Sequence, residues 1–160
     1  MRLNDEVLAV IVAISIVASV LGIALTIPRN PEPFTAIGLL NPDVKIGDYP
    51  REVRVGEEVS LNLYILNHMG YTGLFMYQGK IGYGKIPSDE PLNVTPTLKG
   101  YVALCHTCNI TIPIKTAFNE PFRNQTLVFE LYMYDSKTNE WRYTGVYVFL
   151  RLNVTEVALP

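Results

Sequence analysis

A run of 20 residues without a charged side chain, Leu8–Ile27, constrains this chain more than any other feature of its sequence. An α-helix of that length, rising about 1.5 Å per residue, is about 30 Å long, which matches the hydrocarbon core of a bilayer. The run is apolar on every side, which suits lipid better than a protein core. We therefore predict a single transmembrane anchor over residues 1–27 that contacts membrane lipid through residues 8–27.

A cleavable secretory signal is the alternative interpretation of the same run. Residues 1–7 carry one Arg against two acidic side chains, and the apolar stretch is long for a signal. Gly22-Ile23-Ala24 still offers a small-x-small cleavage site, so this alternative stays open. In a retained helix, Ala18 and Gly22 lie four residues apart, a spacing that lets two helices pack closely.

Four Asn-x-Thr sequons indicate which side of the membrane the rest of the chain occupies, because the charges flanking the helix are nearly balanced. Chance predicts about one such acceptor site from this composition. The sequon asparagines all follow the helix: Asn93, Asn109, Asn124 and Asn153. We predict a single-pass protein of the cell membrane, with a cytoplasmic N-terminus and an extracellular C-terminal domain that carries N-linked glycans.

A proline-rich segment separates the helix from the remainder of the chain. Pro28, Pro31 and Pro33 stiffen it toward the polyproline II conformation. We expect residues 28–33 to form a short semi-rigid stalk. Residues 34–160 then form one extracytoplasmic domain, because their number is typical of a single domain.

Apolar and polar residues alternate along most of this domain, which is the pattern of half-buried strands. The pattern is clear over Glu58–Leu66, Asn109–Ile114, Thr126–Tyr134 and Val146–Val154, and weaker over Phe34–Leu40, Glu52–Val55, Leu74–Tyr83 and Thr97–Leu104. Turn residues separate these segments. The predicted fold class is mainly β: a single N-terminal transmembrane helix followed by an immunoglobulin-like antiparallel β-sandwich of seven to eight strands.

Residues 34–67 read FTAIGLLNPDVKIGDYPREVRVGEEVSLNLYILN, with an aromatic-led strand, a Tyr-Pro pair, a Val-Gly-Glu turn and a long strand ending in Asn. This segment resembles an archaeal family of membrane-anchored proteins, domain of unknown function 1616. The matching positions are Phe34, Gly47, Tyr49, Pro50, Val55, Gly56, Glu57 and Asn67. The resemblance implies an anchored extracytoplasmic β domain with no assigned activity. From the residues themselves, Gly56 permits a tight turn and Asn67 can cap a loop through its side chain.

Cys105-His106-Thr107-Cys108 is the one constellation of reactive side chains. A redox couple would need its first Cys at a helix N-terminus, whereas this pair lies between two predicted strands. A zinc site would have only this motif and His68 for ligands, and a copper site lacks a His or Met at the usual spacing after Cys108. We predict a Cys105–Cys108 disulfide and no metal, with free thiols or a metal or redox site as alternatives.

The charge balance and the motifs exclude several function classes. Twelve basic and thirteen acidic side chains follow residue 27 without forming a basic block, which argues against nucleic acid as a partner. The sequence lacks the common motifs of serine hydrolases, zinc proteases and phosphate-binding loops. We expect a non-catalytic protein with no cofactor.

Aromatic side chains occupy outer positions on three predicted strands, where neither lipid nor core accounts for them: Tyr64, Tyr132, Tyr134, Tyr147 and Phe149. Aromatic residues commonly stabilise solvated strands through cross-strand pairs. If the three strands are neighbours, however, the rings form one patch of the kind that binds proteins or glycans. We expect this patch to be an interaction surface.

The function we predict is that of a membrane-anchored, glycosylated archaeal cell-surface protein whose domain makes protein–protein contacts, as a homo-oligomer or with other membrane proteins. The alternative is an accessory subunit of a larger membrane complex, docked through Ala18, Gly22 and the aromatic positions. Two further hypotheses are an electron carrier with a metal at the Cys-His motif and His68, and a filament subunit that donates Phe34–Leu40 to a neighbouring sheet edge.

Overall fold

The computed structural model describes residues 4–27 and 32–156, and the chain divides into two compact units. The first, Met1–Glu32, contains the N-terminal helix, and the second, Pro33–Pro160, contains the strands. Most of the predicted stalk, residues 28–33, lies outside the described residues. The prediction of a mainly β chain with one N-terminal apolar helix is confirmed.

Helix α1 spans Asp5–Thr26, and none of its residues is buried, Ala18 and Gly22 included. The hydroxyl groups of its apolar part are all satisfied inside the helix, because Ser15, Ser19 and Thr26 donate to backbone carbonyls one turn earlier at 2.7–2.8 Å. Within residues 4–27 and 32–156, α1 is the one helix long and apolar enough to cross a membrane. Its internal hydrogen bonds would let it do so without exposing an unpaired polar group to lipid.

Eight strands follow in the described part of the chain, and each lies where the alternation predicts one. They are β1 (Phe34–Leu40), β2 (Glu52–Arg54), β3 (Glu58–His68), β4 (Gly73–Ile81), β5 (Leu98–Leu104), β6 (Asn109–Ala117), β7 (Phe122–Asp135) and β8 (Glu140–Thr155). Three strands form one sheet in the order β1-β3-β6, and five form a second in the order β2-β8-β7-β4-β5.

Strand β2 departs from the antiparallel arrangement that the sequence predicts. It pairs in parallel with the end of β8, from Glu52 opposite Asn153 to Arg54 opposite Thr155. A tight hairpin forces two consecutive strands to be antiparallel, but β2 and β8 are far apart in the chain and no hairpin constrains them. Alternation reports which face a residue occupies and carries no information about strand direction.

The two sheets contribute their inward side chains to one hydrophobic core. In β3, Leu61, Leu63 and Ile65 are buried while the residues between them are more accessible. From the five-stranded sheet, Phe75 of β4 and Phe129 of β7 fill the same core. Complete burial of each such side chain contributes roughly 1.5–3 kcal/mol to folding. For β3 and β7, the predicted inner faces are therefore the faces that form the core.

Asn67, near the end of β3, organises the loops at one end of the domain. Its side chain is completely buried, and its Nδ2 donates to the carbonyl oxygens of Tyr71 and Leu104 at 2.8 Å each. Its Oδ1 accepts the backbone N–H of Met69 at 3.0 Å. These bonds agree with the loop-capping role that the sequence suggests for Asn67.

Replacing Asn67 by Ala deprives two carbonyl groups and one N–H of their partner. We expect N67A to lower the free energy of unfolding by about 3 kcal/mol or more, since each buried group left unsatisfied costs about 1–3 kcal/mol. Urea denaturation, followed by the fluorescence of Trp141, measures the change. The matched control is N109A at an exposed position of unglycosylated protein, which should change stability by less than about 0.5 kcal/mol. Equal effects of the two substitutions would contradict this role of Asn67.

Candidate functional site

Seven aromatic side chains share the outer face of the five-stranded sheet, which is turned away from the core. We call this set the aromatic face: Tyr101, Tyr132, Tyr134, Trp141, Tyr143, Tyr147 and Phe149. The strand register places them together, because residues paired on neighbouring strands point to the same side of a sheet. Thus Tyr132 of β7 lies opposite Tyr143 of β8, and Tyr134 lies opposite Trp141.

Four of the five aromatic residues singled out from the sequence belong to the aromatic face: Tyr132, Tyr134, Tyr147 and Phe149. The fifth, Tyr64, lies on β3 in the other sheet and does not join them. The other three members, Tyr101, Trp141 and Tyr143, are not among the residues predicted from the sequence. The last two precede an irregularity in the pairing of β8 with β7, which interrupts the alternation there.

The rings contact one another across the strands. Trp141 lies between two tyrosines, with ring centroids 5.4 Å from Tyr101 and 5.3 Å from Tyr134. Tyr132 and Tyr143 are 5.5 Å apart. Aromatic pairs at such distances contribute about 0.5–1.5 kcal/mol beyond the burial of their area. The contacts therefore hold the rings in fixed positions on the sheet.

A basic side chain lies against each of two accessible rings of the aromatic face. Tyr101 is 57% exposed, and the ammonium group of Lys99 lies 5.4 Å from its ring centroid. Phe149 is 39% exposed, stacks on Tyr147 at 6.3 Å, and has the guanidinium of Arg151 5.4 Å from its ring. Cations are attracted to the faces of aromatic rings, which orders these long side chains. The face thus combines exposed aromatic surface with positive charge.

A buried ion pair lies on the same side of the sheet. Nζ of Lys80 on β4 is 2.7 Å from Oε2 of Glu130 on β7, and the two residues are 4% and 0% exposed. The alternation predicts Glu130 on a solvated outer face, and its complete burial corrects that prediction. The physical reason is that a segment of chain covers this part of the sheet.

The covering segment is the connection between β4 and β5, residues 82–97. The ion pair forms hydrogen bonds with the backbone of this segment. The N–H of Leu92 donates to Oε1 of Glu130 at 2.6 Å, and its carbonyl accepts from Nζ of Lys80 at 2.8 Å. The hydroxyl of Tyr132 donates to Oε2 of Glu130 at 2.7 Å and accepts from Lys80 at 3.4 Å. The three ammonium hydrogens of Lys80 therefore all have acceptors, which offsets the cost of burying its charge.

Two hydroxyl groups of the aromatic face resist ionisation. Burial, and then the hydrogen bond to Glu130, raises the pKa of Tyr132 above its usual value. Burial, and then the charge of Glu130, raises the pKa of Tyr143 to about 12. The buried hydroxyl of Tyr143 has no hydrogen-bond partner among the described residues. It is therefore a polar group that the folded domain leaves unsatisfied.

Cys105 and Cys108 form a disulfide across the turn between β5 and β6. Two backbone hydrogen bonds of 2.7–3.0 Å fix this turn to Asn67 of β3. Nδ1 of His106, inside the disulfide loop, accepts the backbone N–H of Gly70 at 3.0 Å. These bonds attach the turn to Asn67 near the end of β3 and to Gly70 in the loop that follows β3.

The structure also brings the second histidine to this turn. The ring of His68 lies 4.7 Å from that of His106 and 4.9 Å from that of Phe34. The side chains considered as metal ligands therefore lie close together. Both cysteines of the chain form the disulfide, however, so neither is a free thiol. In residues 4–27 and 32–156, no group of three or more His, Cys, Asp or Glu side chains is arranged to hold a metal ion.

All four sequon asparagines are exposed: Asn93, Asn109, Asn124 and Asn153. Two of them are neighbours, because the backbone N–H of Asn124 donates to Oδ1 of Asn153 at 2.9 Å. The hydroxyl of Thr126, which completes the first of these two sequons, is buried and donates to the carbonyl of Lys85 at 2.7 Å. The hydroxyl of Thr155, which completes the second, donates to the carbonyl of Val53 at 3.3 Å, so the folded domain already uses the threonine hydroxyls of both sequons.

No protein-family model matches the chain, and neither does any curated protein sequence. Among solved structures, the CARDB domain of the PF1109 protein from Pyrococcus furiosus, in complex with di-metal ions, has a TM-score of 0.49 at 9% identity and covers 78% of this chain and 90% of that one. A β-glucosidase from Listeria innocua has a TM-score of 0.45 at 12% identity, and the match covers 76% of this chain but only 16% of the enzyme. The alkylpurine DNA glycosylase AlkC from Pseudomonas fluorescens, bound to DNA containing an abasic site analog, has a TM-score of 0.44 at 12% identity over 74% of this chain and 30% of that one. These likenesses assign neither a family nor an activity, and the archaeal family resemblance of residues 34–67 stays a prediction.

The buried hydroxyl of Tyr143 makes the free energy of unfolding depend on pH. We expect Y143F to be as stable as the wild type at pH 7, or more stable by up to about 1 kcal/mol, because it removes a buried group without a partner. The pKa of Tyr143 rises from 10.0 to about 12 on folding, so between these pH values the unfolded chain releases a proton that the folded chain keeps. The wild type therefore loses stability as the pH rises from 10 to 12, and Phe removes this contribution.

Urea unfolding midpoints at pH 7 and pH 11 test this expectation. The advantage of Y143F over the wild type should be larger at pH 11. Y64F, which changes an outward tyrosine on the other sheet, is the matched control for general effects of alkaline pH. A stability advantage of the same size at both pH values would contradict the raised pKa of Tyr143.

Proposed function

We propose that this chain is a membrane-anchored, non-catalytic surface protein whose immunoglobulin-like sandwich binds another protein through the aromatic face. The observation that carries the proposal is a set of seven rings on one face of one sheet, which form three contacting groups and include two accessible rings flanked by Lys99 and Arg151. Aromatic residues and Arg dominate the energetics of protein interfaces. Lys99 and Arg151 favour a partner with acidic groups at the corresponding positions.

A protein is the partner that the shape of the site favours. Small-molecule sites are concave and enclose their ligand, whereas the accessible rings of Tyr101 and Phe149 lie on the open part of the sheet. A surface of this kind loses little conformational entropy on binding, because neighbouring rings already restrict one another. The accessible ring of Tyr101 would be a central contact.

Helix α1 supports the membrane part of the proposal. Its apolar run is about as long as a bilayer core is thick, and its three hydroxyl groups are bonded internally. The exposed sequon asparagines are consistent with glycans on an extracellular domain. The disulfide between Cys105 and Cys108 suits the same oxidising compartment.

The anchor is tested on the mature protein from its native membrane. We expect the chain to stay in the membrane pellet after alkaline carbonate extraction, because a spanning helix is not removed by disrupting polar contacts. Protein sequencing should find the residues of α1 still attached to the β domain. A mature chain that begins just after Ala24, within a soluble fraction, would show instead that the apolar run is a secretory signal.

The aromatic face is tested by its effect on a bound partner. The tagged full-length chain is purified from native membranes in mild detergent, and the copurifying proteins are quantified. We expect Y101A to reduce recovery of the partner at least tenfold, since interface anchors typically contribute about 2 kcal/mol or more. Y64A, at an outward tyrosine of the other sheet, should leave recovery unchanged.

The outcome of the same purification decides between two versions of the proposal. A partner in the form of stoichiometric multi-span subunits would favour an accessory subunit, with Ala18 and Gly22 as a second contact inside the membrane. A single-pass or soluble partner would favour a cell-surface receptor or adhesion role. Equal recovery with Y101A and the wild type would contradict the aromatic face as the binding surface.

A further inference from the structure

The turn that follows β1 contains a side chain that its backbone conformation disfavours. Pro42 and Asp43 lie at the centre of this turn, and the N–H of Val44 donates to the carbonyl of Asn41 at 3.0 Å. Val44 has a φ of 61°, which lies in the left-handed region. Gly or Asn usually occupies such a position, and a β-branched residue there is an outlier because its Cβ crowds the backbone. The turn is therefore strained at Val44.

The same turn exposes apolar side chains to solvent. Ile46 is 87% exposed, the largest value among the large apolar side chains that the structure describes, and Val44 is 53% exposed. Together with Pro42 they alternate with Asp43 and Lys45, which is the pattern of a strand. Val and Ile also favour extended backbone. The local sequence therefore favours an extended segment where the folded chain has a turn.

Strand β1 is joined to the domain in a way that permits its exchange. It is the first strand, lies at the edge of its sheet and pairs with β3 alone, through all seven of its residues. It carries no charged side chain, and its inward residues Ile37 and Leu39 pack in the core. Residues 41–51 connect it to the strands that follow. If the turn in this connection straightens, β1 leaves as a unit, and its apolar residues then require a second β3 to cover them.

We propose that two copies of this chain exchange β1 reciprocally and form a dimer. β1 of each copy pairs with β3 of the other in the register observed within one chain, so the contacts of β1 with β3 and with the core are conserved. Residues 42–46 extend and become the crossing segment between the copies. Exchange of an identical element is a low-cost route to a dimer. Because each copy gives one strand and receives one, the assembly closes at two copies, unlike the filament considered from the sequence.

The two crossing segments are complementary to each other. In an antiparallel pair centred on Val44, Asp43 of each copy lies opposite Lys45 of the other, on one side of the pair. Pro42, Val44 and Ile46 lie on the opposite side, where the two copies cover each other's apolar side chains. Val44 leaves the left-handed region when its segment extends. The exchange therefore removes both features that are unfavourable in the single chain.

Hydrogen bonds of the turn favour the single chain. The N–H groups of Val44 and Lys45 donate to the carbonyl and to Oδ1 of Asn41 at 3.0 and 2.9 Å, and the N–H of Asn41 donates to the carbonyl of Lys45 at 2.8 Å. Ladder hydrogen bonds between two extended segments replace them in the dimer. The fraction of dimer therefore rises with protein concentration. The proposal uses no residue of the aromatic face and holds whether or not that face binds a partner.

A disulfide engineered across β1 and β3 tests the exchange directly, because it joins the two chains from which those strands come. Ala36 and Leu66 lie opposite each other in this pair, and both native cysteines are already bonded. The full-length double variant A36C/L66C is purified in mild detergent, oxidised and run on a non-reducing gel. We expect a covalent dimer that neither single variant forms. The matched control is Y64C/T111C, which joins β3 to β6 and should stay within one chain.

The strained turn is tested by Val44→Gly. Gly adopts the left-handed conformation without strain, so it stabilises the turn and the single chain. We expect V44G to raise the dissociation constant of the dimer at least tenfold in sedimentation equilibrium, while urea unfolds the variant at the same concentration as the wild type or a higher one. The matched control is D48G, which changes another left-handed residue of the same connection, at φ 52°, outside the crossing segment. It should leave the dissociation constant unchanged within about threefold.

The linkage pattern also separates this dimer from others. A wild type that stays monomeric at every concentration would overturn the proposal. A dimer whose A36C/L66C disulfides all lie within single chains would overturn it too, because helix α1 or another surface would then hold the two copies together. A dissociation constant that V44G leaves unchanged would contradict the turn as the hinge of the exchange.

Discussion

The hydrogen bonds between the Lys80–Glu130 ion pair and the backbone of Leu92 are the interaction on which the rest of the β domain's surface depends. Two charges buried on the outer face of a sheet are unfavourable alone, and here they are compensated by each other, by Tyr132 and by the backbone N–H and carbonyl of Leu92. Because Leu92 belongs to a connection of 16 residues, the ion pair converts a long loop into a fixed covering layer.

This covering layer has different consequences on its two sides. Toward the sheet, it excludes water from Glu130, and burial, together with Glu130, raises the pKa of Tyr132 and Tyr143. Away from the sheet, the same loop supplies one wall of a cavity of about 220 Å³ that Gln125 also lines. The aromatic face and the cavity are thus separate surfaces that share one structural support. Loss of the ion pair would disturb both surfaces.

The two ends of the domain differ in how fully their polar groups are satisfied. At the disulfide end, the amide of Asn67 makes three hydrogen bonds and joins the loop after β3 to the end of β5. At the cavity end, Gln125 keeps an unpaired oxygen and Tyr83 keeps an unfavourable backbone conformation. Among the described residues, the first end therefore has its buried amide satisfied and the second does not.

By itself, the sequence determined the apolar helix, the positions of the eight strands and, for β3, β6, β7 and β8, the face that enters the core. All of these depend on residue spacing within a short segment, which a linear sequence records directly. Only the tertiary structure decided that Tyr64 lies apart from the other aromatic residues, that Tyr101, Trp141 and Tyr143 join them, and that Glu130 is buried. The neighbours of a strand, its direction and the loop that covers it come from contacts between residues distant in the chain. Alternation predicts that a side chain points outward. Only the assembled fold shows whether that side chain contacts solvent, another ring or a buried lysine.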